Sequence, residues 1–130
     1  MKEILKSNHP IRRAESFKYA FEGLFHALLN EANFRIQIVI VLLAVAGGFY
    51  FKITNTEWGL LVLSMGFLLA AEIINTVVEE FIDHIIKEET QVAKIIKDLG
   101  AGFVLVASFT AGFILLLIFG NPVLGFLGLG

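Results

Sequence analysis

Polar and apolar positions divide this chain into four blocks. From residue 8 to residue 31, Ala14, Phe17, Phe21, Leu24 and Leu28 recur at spacings of three and four, while Arg13, Lys18, Glu22 and His26 take the other faces. That period predicts an amphipathic helix, and Pro10 suits its first turn. Charge interrupts it too often for a membrane span, so it reads as a surface helix in the headgroup region with Phe17, Phe21 and Phe25 as anchors. Residues 1–7 read as a mobile basic lead-in. An uncharged run, 36–51, lies between Arg35 and Lys52 and predicts the first span. Its length corresponds to ~24 Å, short of a ~30 Å hydrocarbon core by an amount that snorkelling flanks can cover. A second span is predicted over 58–83, starting at Trp58 as an interfacial anchor and ending in a cytoplasmic extension. His84 to Asp98 reads as a charged connection. The third span is predicted over 99–120, with Ser108 and Gly112 allowing close helix approach and Asn121-Pro122 ending it.

The expected fold is therefore an all-α membrane protein of one domain over 1–130: an N-terminal amphipathic surface helix and three transmembrane helices. Composition agrees, with 57% hydrophobic residues, 17% charged and no cysteine. The lack of cysteine excludes disulfides, thiolate metal sites and thiol catalysis. A net charge of −2 gives no basis for a nucleic-acid partner. Met1 to Arg35 lacks the pattern of a cleaved signal peptide, so insertion is expected to rely on the spans themselves. Lys2, Lys6, Arg12, Arg13, Lys18 and Arg35 precede the first span, Lys87, Lys94 and Lys97 separate the second from the third, and Lys52 alone lies on the other side. The positive-inside rule then places the N-terminus and the second loop in the cytoplasm of a multi-pass protein of the cell membrane.

One feature of the second span does not suit a simple anchor. Glu72, Asn75, Glu79 and Asp83 share a stripe roughly 80° wide. A carboxylate in hydrocarbon costs on the order of 3 kcal/mol, so such groups face protein or water and mark function. Glu72 as a single group could be glue between helices. The four together read as a site at the cytoplasmic boundary, where Asn30, Glu31, Arg35, Lys97 and Asp98 also converge. Boundary carboxylates can hold a hard cation such as Mg²⁺, usually shared with nucleotide phosphates, and Glu31 and Glu79 have the right depth. Desolvation makes a carboxylate more basic, which suits a general base, and Glu72 lies deepest. Lys97 can neutralise phosphate charge, although a Lys-Asp pair at a helix start is more often a solvated cap. Glu31 and Arg35 could equally form a surface ion pair, and His26 and His84 read as bystanders. There is no P-loop, kinase glycine-rich loop or nucleophile elbow.

The segments N-E-A-N-F-R (30–35), E-I-I-N-T-V-V-E-E-F-I-D (72–83) and A-K-I-I-K-D-L-G-A-G (93–102) resemble, in order and spacing, the small prokaryotic integral-membrane lipid kinases, diacylglycerol kinase and undecaprenol kinase. The likeness runs from Arg12 to Gly120. It implies a homotrimer with active sites shared between neighbouring subunits at the cytoplasmic interface, and ATP as phosphoryl donor with Mg²⁺. By position, Glu72 matches the catalytic base and Asn75 its polar neighbour. Glu31 and Glu79 match the carboxylates of the metal–ATP complex. Arg12, Tyr19, Glu88, Lys97 and Asp98 match nucleotide-contacting positions.

Val77 departs from the family's usual Ala or Ser, Glu80 adds an acid beside Glu79, and Gln37 replaces a glutamate of the diacylglycerol-kinase branch. F-K-Y-A-F-E-G-L (17–24) with N-F-R-I-Q (33–37) resembles the undecaprenol-kinase branch more closely. The expected activity is phosphorylation of a lipid alcohol, undecaprenol before diacylglycerol. The rival readings are a small ion-transporting subunit built on Glu72 and a non-catalytic assembly subunit.

Overall fold

The computed structural model describes residues 10–86 and 90–129, with side chains from Glu15 onward. The lead-in over 1–7, Glu88 and the side chain of Arg12 lie outside what is described. Four helices account for nearly all the described residues: α1 (Pro10–Asn30), α2 (Ala32–Phe51), α3 (Asn55–Ile85) and α4 (Gln91–Phe126). The last three are each long and apolar enough to cross a membrane. The chain is an all-α membrane protein, and α1, with Phe17, Phe21 and Phe25 uncovered, precedes its spans.

Local chemistry sets the helix ends, and it makes each helix longer than hydropathy alone suggests. Glu31, in an extended conformation, is the one residue between α1 and α2. The end of α1 is capped from beyond that break: Arg35 Nη1 donates to the carbonyls of Leu28 (3.3 Å) and Leu29 (2.8 Å). These contacts satisfy carbonyls that a helix end leaves without partners. Arg35 is thus spent on the α1 terminus rather than on a pair with Glu31. α3 opens on a capping box in which the Thr54 hydroxyl accepts from Glu57 N–H and the Glu57 carboxylate accepts from Thr54 N–H. Thr90 caps α4 by accepting from Ala93 N–H, so the expected charged connection over 84–98 is mostly helical.

Pro122 does not end the last helix. It sits inside α4, which runs on to Phe126 and stops where Gly128 adopts φ +69°. Leu129 N–H closes onto Leu124 O at 2.9 Å, the wrap that a left-handed glycine allows.

α3 lies at the centre, packed along α4 and, over a shorter stretch, against α2. Leu61, Met65, Leu68 and Ala71 of α3 meet Ala44 of α2 and Ala107, Ala111 and Ile118 of α4 in one apolar core. Small residues at the contact bring backbones close, which is how helices gain contact energy when lipid is no worse a solvent than a neighbour. Within the chain, the small pair that packs is Ala107/Ala111. A Cβ on Gly112 would meet nothing within 4 Å, and Ser108 is exposed.

At the end opposite the acidic stripe, Gly48 makes room for Trp58. A Cβ there would lie 2.7 Å from the indole ring, which is also held against Phe49 at a centroid distance of 4.9 Å. Gly48→Ala is expected to displace Trp58, the one tryptophan in the chain, and to destabilise the fold by about 1–3 kcal/mol. Thermal unfolding in detergent, followed by Trp58 emission, measures both effects.

Candidate active site

The α3 stripe grades from interior to water. Glu72 is 1% exposed, Asn75 is buried, Glu79 is half-buried and Asp83 is exposed. The gradient follows packing, since Glu72 faces Gln37 of α2 and Asn75 faces Gly100 of α4; the 31 residues of α3, ~46 Å, also exceed a ~30 Å hydrocarbon core.

α2 meets Glu72 from the facing side. Gln37, itself 7% exposed, donates from Nε2 to Glu72 Oε2 at 2.7 Å. A buried carboxylate is tolerated only when hydrogen bonds replace lost water, and this one comes from a different helix. Asn33, Glu31 and Glu79 lie near enough to act electrostatically on the same carboxyl. The structure therefore brings together Glu31, Glu72, Asn75 and Glu79, four of the residues that the sequence selects.

Asn75 donates from Nδ2 to Glu79 Oε1 at 2.9 Å and so fixes that carboxylate. Its own Oδ1 is buried without a hydrogen-bond partner and presses on α4 at Gly100, where a Cβ would come within 2.6 Å of it. Gly100 is thus required for close approach, not for backbone freedom. Gln37 Oε1 and Thr76 Oγ1 are likewise buried without partners. Such acceptors each cost about 1–3 kcal/mol and collect where a structure is built to receive something rather than only to be stable.

Three openings surround this cluster. A cleft of about 410 Å³ has Glu72, Gln37 and Asn33 at its polar part, while Ile36, Ile40, Met65, Leu68 and Val104 supply apolar wall. A second, of about 720 Å³, lies between the end of α3 and the start of α4 and is lined by Asp83, Thr90, Lys94, Lys97 and Asp98. A third, of about 580 Å³, separates α1 from α3 and includes Tyr19, His26, Thr76, Glu80 and His84. Tyr19 is therefore held in a different opening from Lys97 and Asp98.

Lys97 and Asp98 do not act as one pair. Lys97 Nζ binds Asp83 at 2.9 Å across the α3–α4 loop, whereas Asp98 takes Lys94 of its own helix at 2.9 Å. The side chain directions of consecutive helical residues diverge by about 100°, which separates them. His26 and His84 have structural contacts: both engage Glu80, His26 Nε2 at 3.3 Å, tying α1 to α3, and His84 Nδ1 at 3.1 Å within α3. The sequence hint was the (i, i+4) spacing of Glu80 and His84; nothing local indicated His26.

Among the described residues no three His, Asp or Glu side chains form a ready cage for a metal. Glu31 and Glu79 offer oxygen donors to a hard cation, whose remaining positions would have to come from water or a phosphorylated ligand. The arrangement is suited to proton abstraction from a group that enters the apolar cleft, beside a region able to hold anionic phosphate and its cation.

Comparison with known proteins agrees with this geometry. The prokaryotic diacylglycerol kinase family matches residues 18–119. The undecaprenol kinase of Bacillus subtilis (strain 168) is 30% identical over 105 residues, covering 81% of this chain and 85% of that protein. The diacylglycerol kinase of Escherichia coli (strain K12) is 34% identical over 93 residues, 72% of this chain and 76% of that protein. That of Haemophilus influenzae is 29% identical over 99 residues, 76% and 84% of the respective chains.

The contact at Gly100 can be tested alone. Gly100→Ala is expected to push Asn75 off Glu79 and lower stability by about 1–3 kcal/mol. Gly102→Ala, where a Cβ meets nothing within 4 Å, should stay within about 0.5 kcal/mol. Thermal unfolding of the two variants in one detergent gives the comparison.

Proposed function

The chain belongs to the prokaryotic diacylglycerol kinase family and is a membrane lipid kinase, and from that premise we propose that it transfers the γ-phosphoryl group of ATP to the hydroxyl of undecaprenol at the cytoplasmic face of the cell membrane. The observation that carries this reading is Glu72, buried and hydrogen-bonded, at the polar part of a cleft with apolar walls. A lipid alcohol and a water-soluble nucleotide arrive from different solvents, and only a site graded in depth serves both.

Glu72 takes the hydroxyl proton as the lipid oxygen bonds to the γ-phosphorus. The bond from that phosphorus to the β–γ bridging oxygen breaks, and ADP leaves. Because transfer passes through a loose transition state, the carboxylate mainly orients the hydroxyl, and charge stabilisation does more of the work. Asn75 keeps Glu79 aimed, and Glu79 with Glu31 would hold Mg²⁺. The ion supplies charge neutralisation on the phosphates when bound with ATP. Lys97 and Asp98 serve the nucleotide from one opening, and Tyr19 from another, with Arg12 and Glu88 also assigned to it; in a homotrimer the two openings would belong to neighbouring subunits at a shared site. For Lys97 this means sharing its ammonium between Asp83 and phosphate.

Undecaprenol is favoured by the segments 17–24 and 33–37, diacylglycerol by the identity to the Escherichia coli enzyme. The basic residues around α1 and the α3–α4 loop support a cytoplasmic site. Leu105, Phe109, Phe113 and Leu116 of α4 are left uncovered, in keeping with a homotrimer. The family leaves no place for the ion-transporting reading.

Labelled ATP offered with undecaprenol or diacylglycerol in mixed micelles tests both reaction and substrate. The expected result is transfer mainly to undecaprenol, lost in Glu72→Gln while fold and assembly persist; transfer mainly to diacylglycerol reverses the substrate, and wild-type turnover in the mutant removes the base. Chelation of divalent cations should abolish transfer. Glu79→Gln should raise the Mg²⁺ concentration needed for half-maximal rate by about tenfold or more, read from a metal titration at saturating lipid.

A further inference from the structure

Gln37 stands out among the buried groups that the transfer chemistry does not yet use. It sits on α2, 35 residues from the base it touches, and gives its amide nitrogen to Glu72 Oε2 at 2.7 Å. Its amide oxygen is buried and has no partner. Had the residue been retained only to join α2 to α3, both ends of the amide would be expected to be satisfied, because an orphaned acceptor offsets what the other end contributes. Only the end that touches the base is used.

An amide nitrogen can donate and cannot accept, so Oε2 is held as an acceptor and the carboxylate plane is fixed. A single bond from a packed helix removes the rotation that a glutamate in an open cleft would otherwise have. Rigid placement of a base matters strongly for rate, since displacement by about 1 Å can cost on the order of 100-fold. We propose that Gln37 is a positioning residue for the transfer reaction, acting through Glu72 by fixing the orientation of its carboxylate. This rests on the reading of Glu72 as the base.

The surroundings of the pair are well defined. Glu31 from the α1–α2 junction and Glu79 from α3 act on Glu72, while Asn33 of α2 is the near amide. α4 contributes Ala101, Val104, Leu105 and Ser108 to the shared cleft, none of them titratable in this range. Of the two neutral amides on α2 that act on Glu72, Gln37 is the one seated at 2.7 Å from its carboxylate, so its replacement removes that bond without altering an existing charge.

The test uses full-length protein in mixed micelles, with lipid and ATP varied separately. Gln37→Met keeps length and apolar packing and removes the donor. The expected result is a fall in kcat of about 10- to 100-fold with KM for ATP within twofold; the unfolding midpoint falls as well, because Glu72 loses its donor, but the protein stays folded and assembled at the assay temperature. Gln37→Glu can donate only through a carboxyl proton. Its transfer rate should approach wild type while the two carboxyls share a proton and fall as pH rises and that proton is lost; the wild-type amide does not titrate and keeps its rate over the same range. A Gln37→Met kcat within twofold of wild type, or a Gln37→Glu pH profile that superimposes on wild type, overturns the proposal. Wild-type transfer and its loss in Glu72→Gln, measured in the same assay, report separately on the base.

Discussion

Everything at this site depends on keeping a carboxylate buried among packed helices. Glu72 is 1% exposed on a helix that otherwise packs through Leu61, Met65, Leu68 and Ala71. In the bilayer interior an unpaired charge is costly, and the fold meets that cost with a 2.7 Å hydrogen bond from Gln37 on the neighbouring helix. Such an arrangement is a poor way to gain stability, because apolar groups of similar size would pack there without desolvation loss. Under the proposed role its retention makes sense as chemistry, with rigidity imposed on the group that would meet the reacting hydroxyl.

The rest of the architecture turns one depth into a series of depths. α3 and α4 exceed a bilayer span by several turns, and both excess lengths emerge beside each other, fastened by Lys97 and Asp83. Along α3, burial falls from Glu72 to Asp83, the order in which the proposed proton transfer, cation binding and phosphate binding would follow one another toward water. Gly100 completes this order from α4 by leaving space for Asn75, which in turn holds Glu79. The surface helix adds its own tie through His26 and Glu80. Small residues thus serve the acids at one end and Trp58 at the other.

The sequence makes the spans and the acidic stripe legible because both are periodic and local. Fourteen uncharged positions before Glu72 and a common helix face were sufficient to place it near one membrane boundary. Local chemistry also explains what the hydropathy pattern concealed: Thr54 and Thr90 are ordinary caps that lengthen α3 and α4, and Gly128 rather than Pro122 stops the last helix. Pairings across helices were not legible. Gln37 with Glu72, Lys97 with Asp83 and His26 with Glu80 join residues 14 to 54 positions apart, and no short-range period encodes such partners. For the same reason the intra-chain packing of α4 through Ala107 and Ala111 is not marked by any short-range pattern.

The central claim is that the Gln37–Glu72 pair is kept for reaction and not for stability. The most direct measurement is the unfolding midpoint and transfer rate of the double variant Gln37→Leu/Glu72→Met in one detergent. With both partners replaced by apolar groups, no donor or acceptor of the pair is left stranded. The account predicts a midpoint equal to or above that of the wild type and no transfer to lipid. A markedly lower midpoint, or transfer that survives the double replacement, would contradict it.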